Sequence, residues 1–454
     1  MKNIITVMVC WSVICTAAFT CQGQSIDSAS QMAASASQTG ASSGSKAASS
    51  SQLAASYFKE AEVASQNQRI WKEKMYGPML FVDPQTRVTY ANMPDSAGIL
   101  KPDGSVYKGI LPTDVIIANT SIHWQGKMWS VIQWPLPLDH DDRLSLVMHE
   151  SFHRIQDQLG LPQRSPTIDH LGGMTGRIYF LLELQALKAA LNKPVNERGA
   201  DLTNALIFRA KRQELFPNTF PNERLLEMHE GLAEYTGQII GRQKEGIRQY
   251  LYHLIDSFGE GKSLIRAAAY ITGPVYGYLL YQKSPGWTAQ VDSNSGFPAL
   301  ISTWYHLKLP QHQESGTLAI LEKQYNGDVI IRSEKLKEEK RLQSVNEFTE
   351  LFTRATVLTI ELIKMNIGFN PSILFDLGEY GVVYPIAEVK DTWGQLNVAA
   401  PGMLMKDWKT ITLPAESINI NGQTIEGKGW KLVLNEHWAI VKVDSLHFRL
   451  KQQN

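Results

Sequence analysis

Apolar residues at Leu144, Val147, Met148, Phe152, Ile155 and Leu159 recur every three or four positions, so residues 143–159 are predicted to form one amphipathic helix. Asp139, Asp141 and Asp142 stand ready to cap its first turn, and Gly160 with Pro162 ends it. The same period predicts helices over 177–191, 202–215 and about 222–242. Ahead of them the texture is that of short strands: 79–82, 88–90, and a strand pair over 115–117 and 128–133 joined through Gln125-Gly126-Lys127. Beyond Asn370-Pro371 the chain turns β-rich again, at 381–384, 395–398, 410–413, 430–434 and 438–443. Asn421-Gly422, set between 417–420 and 423–425, predicts a two-residue hairpin turn. The expected fold class is α+β: a small N-terminal sheet, a mainly helical body and a β-rich C-terminal domain. No internal period argues for a solenoid.

Residues 1–21 carry one lysine, an apolar stretch from Ile4 to Phe19 and small residues near the end, which reads as an export signal rather than a spanning helix. All three cysteines, at 10, 15 and 21, fall within it, so the rest of the chain has no disulfide to offer. Cys21 is a candidate first residue of a lipoprotein, and the Ser/Ala-rich tract 22–56 would then be a flexible tether. The expected location is outside the cytoplasm, in the periplasm, on the cell surface or in the medium. The remainder divides into a mixed part with a leading helix at 57–140, a mainly helical part at 141–369 and the β-rich part at 370–454. With 44 basic and 44 acidic residues the net charge is zero, which gives no reason to expect nucleic acid, nor a membrane except through a lipid anchor. The charge run 334–341 mixes signs and reads as a solvated helix face. Trp393, Trp408, Trp430 and Trp438 are expected to fill a core rather than line a ligand surface.

Within the first predicted helix, His149-Glu150-Ser151-Phe152-His153 has the form H-E-x-x-H. Imidazoles four positions apart project from one helix face about a turn apart, so both can reach a single Zn²⁺. Glu150 is displaced around the helix, close enough to take a proton from water at the metal without binding it. A catalytic zinc site needs a third protein ligand and a position left for water. Glu230, His229, His170 and Glu183 are the candidates. Glu230 and His229 are neighbours about 100° apart on a helix, so only one of them is expected to face the metal.

The run Leu226-Glu227-Met228-His229-Glu230-Gly231-Leu232-Ala233-Glu234-Tyr235 resembles the W-L-N-E-G-F-A-x-Y signature of the gluzincin zinc peptidases, above all the aminopeptidase family that includes leukotriene A4 hydrolase. Glu230, Gly231, Ala233 and Tyr235 match; Leu232 stands for Phe, His229 for Asn, and the Trp is missing. The resemblance implies a zincin-like fold, with 57–140 as part of the catalytic unit, and Glu230 as the third zinc ligand. Tyr270-x-x-Gly273 resembles the Y-E-K-G segment of the same family, which implies Tyr270 as hydrogen-bond donor to the oxyanion, with Tyr276 second. Nothing over 79–139 matches the G-x-M-E-N segment by which that family anchors a free amino end, so amino-terminal specificity is not carried over.

Around the ligands, Glu234 lies one turn beyond Glu230 and is a candidate to accept the second N–H of a ligand histidine. Asp157, one turn past His153, is another. Glu183, alone in the apolar run 178–187, should be paired if buried, with Arg177 or a ligand histidine as partner. The expectation is an exported zinc-dependent hydrolase of peptide or protein substrates, with Glu150 as general base and Tyr270 as donor. The alternative is a secreted or surface-anchored binding protein with a non-catalytic metal site. A carboxylate-bridged di-iron centre would need a second E-x-x-H, which no other predicted helix supplies.

Overall fold

The computed structural model describes residues 48–67, 70–242, 244–257, 264–309, 315–370 and 373–453. The expected export signal, Cys21 and residues 22–47 of the Ser/Ala-rich tract lie outside the described residues. The chain is mixed α/β, with a helical middle and a β-rich C-terminal part, and divides into two compact units. Among the described residues no helix is long and apolar enough to cross a membrane.

The first unit takes in the described parts of 1–170, 183–259 and 264–317. It opens with α1 (Ser50–Asn67), so the tract expected to be a tether up to residue 56 is already helical from Ser50. A reciprocal cap accounts for the early start: Ser49 Oγ accepts from the Gln52 N–H at 3.3 Å while Gln52 Oε1 accepts from the Ser49 N–H at 2.9 Å. Ala54, Tyr57, Phe58 and Ala61 bury one face of the helix, and Phe58 stacks on Phe81 at 4.2 Å.

Six strands follow: β1 (Met79–Val82), β2 (Val88–Ala91), β3 (Lys101–Asp103), β4 (Val106–Ile110), β5 (Thr120–Trp124) and β6 (Lys127–Gln133). Their order is β3-β4-β2-β1-β6-β5, with β1 and β6 parallel and the other pairs antiparallel. The partner of β6 is therefore Thr120–Trp124, not the β-branched run at 115–117. Gln125 and Gly126 both take positive φ, 50° and 76°, and this two-residue turn pairs Trp124 with Lys127. Register carries the strand back to Thr120, while Val115 and Ile117 pack against the sheet's core from outside it.

The helices of this unit are α2 (His140–Gln156), α3 (Met174–Leu191, from Glu183 onward), α4 (Gly199–Leu215), α5 (Phe220–Leu226), α6 (Leu232–Gly241), α7 (Lys244–Asp256), α8 (Leu264–Ala267), α9 (Ala269–Lys283) and α10 (Phe297–Tyr305). Asp139 caps α2 as expected, its side chain accepting from the Asp142 N–H at 2.9 Å. Ser130 of β6 donates to the backbone C=O of Glu150 at 3.2 Å and ties α2 to the sheet. Between α5 and α6 the chain makes a π turn over Glu227–Gly231, in which the Leu232 N–H reaches back to the Glu227 C=O. Small residues set how closely the neighbouring helices approach. A Cβ on Gly237 or Gly241 of α6 would overlap the Ser145 backbone of α2, and one on Gly273 of α9 would overlap the backbone of Gly231.

The second unit takes in the described parts of 171–182 and 318–454, with a long helix at Gly327–Thr349 and two sheets of seven and six strands. Its β structure begins at Val357–Glu361 rather than at 370, because that strand pairs along its whole length with Thr410–Pro414. Trp393 and Trp430 lie in the core and Trp438 packs against it, but Trp408 remains 48% exposed. In the last predicted hairpin Asn421 pairs with Thr424, which moves the turn one residue on, to Gly422-Gln423. Gly422 alone of the two takes positive φ, 58°, the form of turn that puts glycine first. Glu334, expected in solvent, is buried between Arg177 at 2.6 Å and Lys337 at 2.8 Å.

Candidate metal centre

α2 presents His149 and His153 on one face, with their Nε2 atoms 3.1 Å apart. The π turn brings the third donor: Glu230 Oε2 lies 3.6 Å from His149 Nε2 and 3.5 Å from His153 Nε2. Bonds of about 2.0–2.2 Å to a tetrahedral ion would separate donors by about 3.3–3.6 Å, so the three atoms already stand near ligating spacing. Among the described residues this is the one group of His, Cys, Asp or Glu side chains that could hold a metal ion. His229 also lies beside it, its ring 4.7 Å from that of His153, although only one of the neighbours 229 and 230 was expected there. An i→i+5 turn spaces successive side chains more closely in angle than an α-turn, which is what lets both approach.

Each ligand candidate is held from behind. His149 Nδ1 meets Glu234 Oε2 at 2.9 Å, the role expected of Glu234. Glu234 Oε1 accepts from Gln238 at 2.8 Å, Gln238 accepts from Arg242 at 2.5 Å, and Arg242 pairs with Asp142. This relay runs along α6 in steps of four residues and returns to the first turn of α2. His153 Nδ1 meets Gln156 Oε1 at 3.0 Å, not Asp157. Gln156 is buried three residues on, whereas Asp157 stands exposed where the helix stops.

Tyr270 stands at the centre: its hydroxyl donates to Glu230 Oε2 at 2.7 Å and its ring stacks on His149 at 5.9 Å. Tyr276 does not, since its hydroxyl donates to Glu183 at 2.7 Å. Ser165, from the loop after α2, donates to the other carboxylate oxygen, Glu230 Oε1, at 2.8 Å, and lies 2.8 Å from His229 Nδ1. No local pattern marked Ser165; it belongs to a polar loop whose position only tertiary packing sets.

Glu183 and His170 are not ligands. Glu183 is buried against Arg212 at 2.7 Å and Arg209 at 3.2 Å, with Arg177 engaged by Glu334 instead. Arg209 also holds Glu227 at 2.7 Å, Arg212 holds Glu223 at 3.0 Å, and His170 lies 2.8 Å from Glu223. Two arginines from α4 thus pair with three buried glutamates, one of which, Glu227, starts the π turn.

Burial alone would raise the Glu230 carboxyl, but hydrogen bonds from His149, His153 and His229 outweigh it and hold the group well below the usual carboxylate range. Burial opposes charge on His149 as well, yet Glu230 and Glu234 raise it well above an ordinary histidine; Glu230 does the same, less strongly, for His153. Burial lowers His229. Burial and then the Glu230 charge push the Tyr270 hydroxyl well above an ordinary tyrosine, so it keeps its proton. Glu150 is buried with no hydrogen-bond partner on Oε2, and that burial raises its carboxyl against the pull of His149 and His153. No family model, curated protein or solved structure matches the chain.

Proposed function

We propose that this centre is the active site of an exported zinc-dependent hydrolase of gluzincin type that cleaves peptide bonds. The observation that carries the reading is the conjunction of three donors at ligating spacing with one buried carboxylate, Glu150, whose Oε2 has no hydrogen-bond partner. His149, His153 and Glu230 would hold the ion, a set of two nitrogens and one oxygen that suits catalytic zinc. Bound there, zinc supplies Lewis-acid polarisation of a carbonyl and lowers the pKa of water toward about 7.

The chain's own side chains do the rest. Glu234 and Gln156 face the Nδ1 atoms of the two imidazoles, which leaves each Nε2 lone pair for the ion. Glu150 accepts a proton from water as the water oxygen bonds to the scissile carbonyl carbon, then delivers it to the amide nitrogen as the C–N bond breaks. A carboxyl raised by burial is a better base for that transfer than an exposed one. Tyr270, still protonated at neutral pH, donates to the carbonyl oxygen as it gains negative charge.

Metal analysis of the full chain and of Glu150→Gln, paired with cleavage-site profiling on a peptide mixture, tests the reading. Both proteins should carry about one zinc, and the variant should lose about 10²-fold or more of the cleavage rate. Cleavage by the variant at the wild-type rate overturns the mechanism. Zinc-loaded wild type that cuts nothing turns the reading to a binding protein with a non-catalytic metal site.

A further inference from the structure

Gln156 is the last residue of α2, three after His153, and is fully buried. Its side-chain amide touches three separate pieces of the centre. Nε2 donates to the Pro162 C=O at 2.6 Å and to the Met228 C=O at 3.2 Å, and Oε1 lies 3.0 Å from His153 Nδ1. Pro162 leads into the loop that carries Ser165; Met228 stands in the π turn two residues before Glu230.

Carbonyl oxygens only accept hydrogen bonds, so the end of the amide that faces two of them is the NH₂ end. The oxygen end then faces His153, and because an amide oxygen also only accepts, His153 Nδ1 carries the proton. In the neutral ring Nε2, 3.5 Å from Glu230 Oε2, is left as the lone-pair nitrogen. Two backbone carbonyls that never touch the imidazole thus decide which of its nitrogens is free. The same amide holds the Ser165 loop, whose hydroxyl occupies Glu230 Oε1, while Oε2, which also accepts from Tyr270, faces the histidines.

We infer that Gln156 is the positioning residue of the centre, setting His153 as an Nε2 ligand and clamping the Ser165 loop and the Glu230 turn to α2; this rests on the metal-centre reading above. Glutamine suits the position because it offers one acceptor and two donor hydrogens at the required reach. Glutamate keeps the acceptor and loses the donors, and methionine keeps the length and loses both.

Zinc affinity by chelator competition, and amide hydrogen exchange over 162–168 and 226–231, separate the two roles in Gln156→Met and Gln156→Glu, with thermal unfolding as the check on folding. The Met variant should lose about 10- to 100-fold in zinc affinity. The Glu variant should recover most of that loss, because its carboxylate still accepts from Nδ1, yet exchange in both segments should quicken in both variants. Wild-type affinity in the Met variant, a Glu variant as weak as the Met variant, or unchanged exchange overturns the inference. Should the Met variant not fold, Gln156→Asn, one methylene too short, takes its place with the same expected loss. Wild type that binds no zinc sinks the metal-centre reading and this inference together; wild type that binds it as tightly as the Met variant sinks this inference alone.

Discussion

An alanine at position 273 would put its Cβ 2.5 Å from the Gly231 carbonyl carbon, and nearer still to the Cα and carbonyl oxygen of that residue. Ordinary Cβ contacts begin at 3.4 Å, so α9 and the π turn would have to part by about 1 Å. Overpacking of this kind costs about 1–3 kcal/mol. At about 2–4 °C per kcal/mol for a domain of this size, Gly273→Ala should lower Tm by about 2–12 °C. The functional loss should be larger. Gly231 adjoins Glu230 and Gly273 stands three residues after Tyr270, so the gap opens between two groups held 2.7 Å apart. A displacement near 1 Å at reacting groups costs about 10²-fold in rate. Thermal unfolding, zinc affinity and peptide cleavage, measured beside Gly246→Ala, give the comparison. A Cβ on Gly246, within α7, meets nothing within 4 Å, so that control should hold or gain stability by up to about 1 kcal/mol. Gly273→Ala with wild-type Tm and wild-type zinc affinity would refute the close-approach argument.

Three further outcomes are expected. Arg209→Met strands Glu183 and Glu227 beside a single remaining arginine, and should cost about 3–5 kcal/mol in urea unfolding; a loss below about 1 kcal/mol would show the network to be self-sufficient. Tyr270→Phe should lower kcat and leave zinc content unchanged, and an unchanged kcat removes Tyr270 from the mechanism. The third concerns acid. Burial would raise Glu223, but Arg212, His170 and Arg209 overcome it and hold the carboxyl well below the usual range. The unfolded chain takes up a proton near pH ~4.3 that the folded chain refuses, so this stabilisation is complete above that pH and drains away as pH falls, by up to about 1.4 kcal/mol per unit. Urea titrations from neutral pH down to about pH 3 should give Glu223→Gln a shallower slope than wild type; equal slopes would discard the assignment.

Helices were legible because their determinants lie within four residues of one another. Apolar spacing placed α2, α3 and α4, Asp139 capped α2, and His149 with His153 announced a shared face. Glu230 was readable from a short run that resembles a known signature and Glu234 from its place one turn beyond, and both reach the histidines. The start of α1 was missed, because the Ser/Ala-rich composition argued for a tether where Ser49 and Gln52 in fact cap a helix. Strand register was less accessible: the positive φ of Gln125 and Gly126 selected Thr120–Trp124 over a run with stronger β-branched character.

Partners of buried polar groups were beyond the sequence's reach, because such a group binds whatever distant segment packing brings to it. Glu183 found Arg209 and Arg212 rather than Arg177, Gln156 displaced Asp157 behind His153, and Ser165 came to Glu230 from a loop without any motif. The sequence by itself determined which side chains could ligate and on which helices they ride. Tertiary structure decided that they converge: glycines at 237, 241 and 273 let neighbouring backbones approach within a distance that a Cβ would forbid, and the π turn set the angle at which Glu230 meets the histidines.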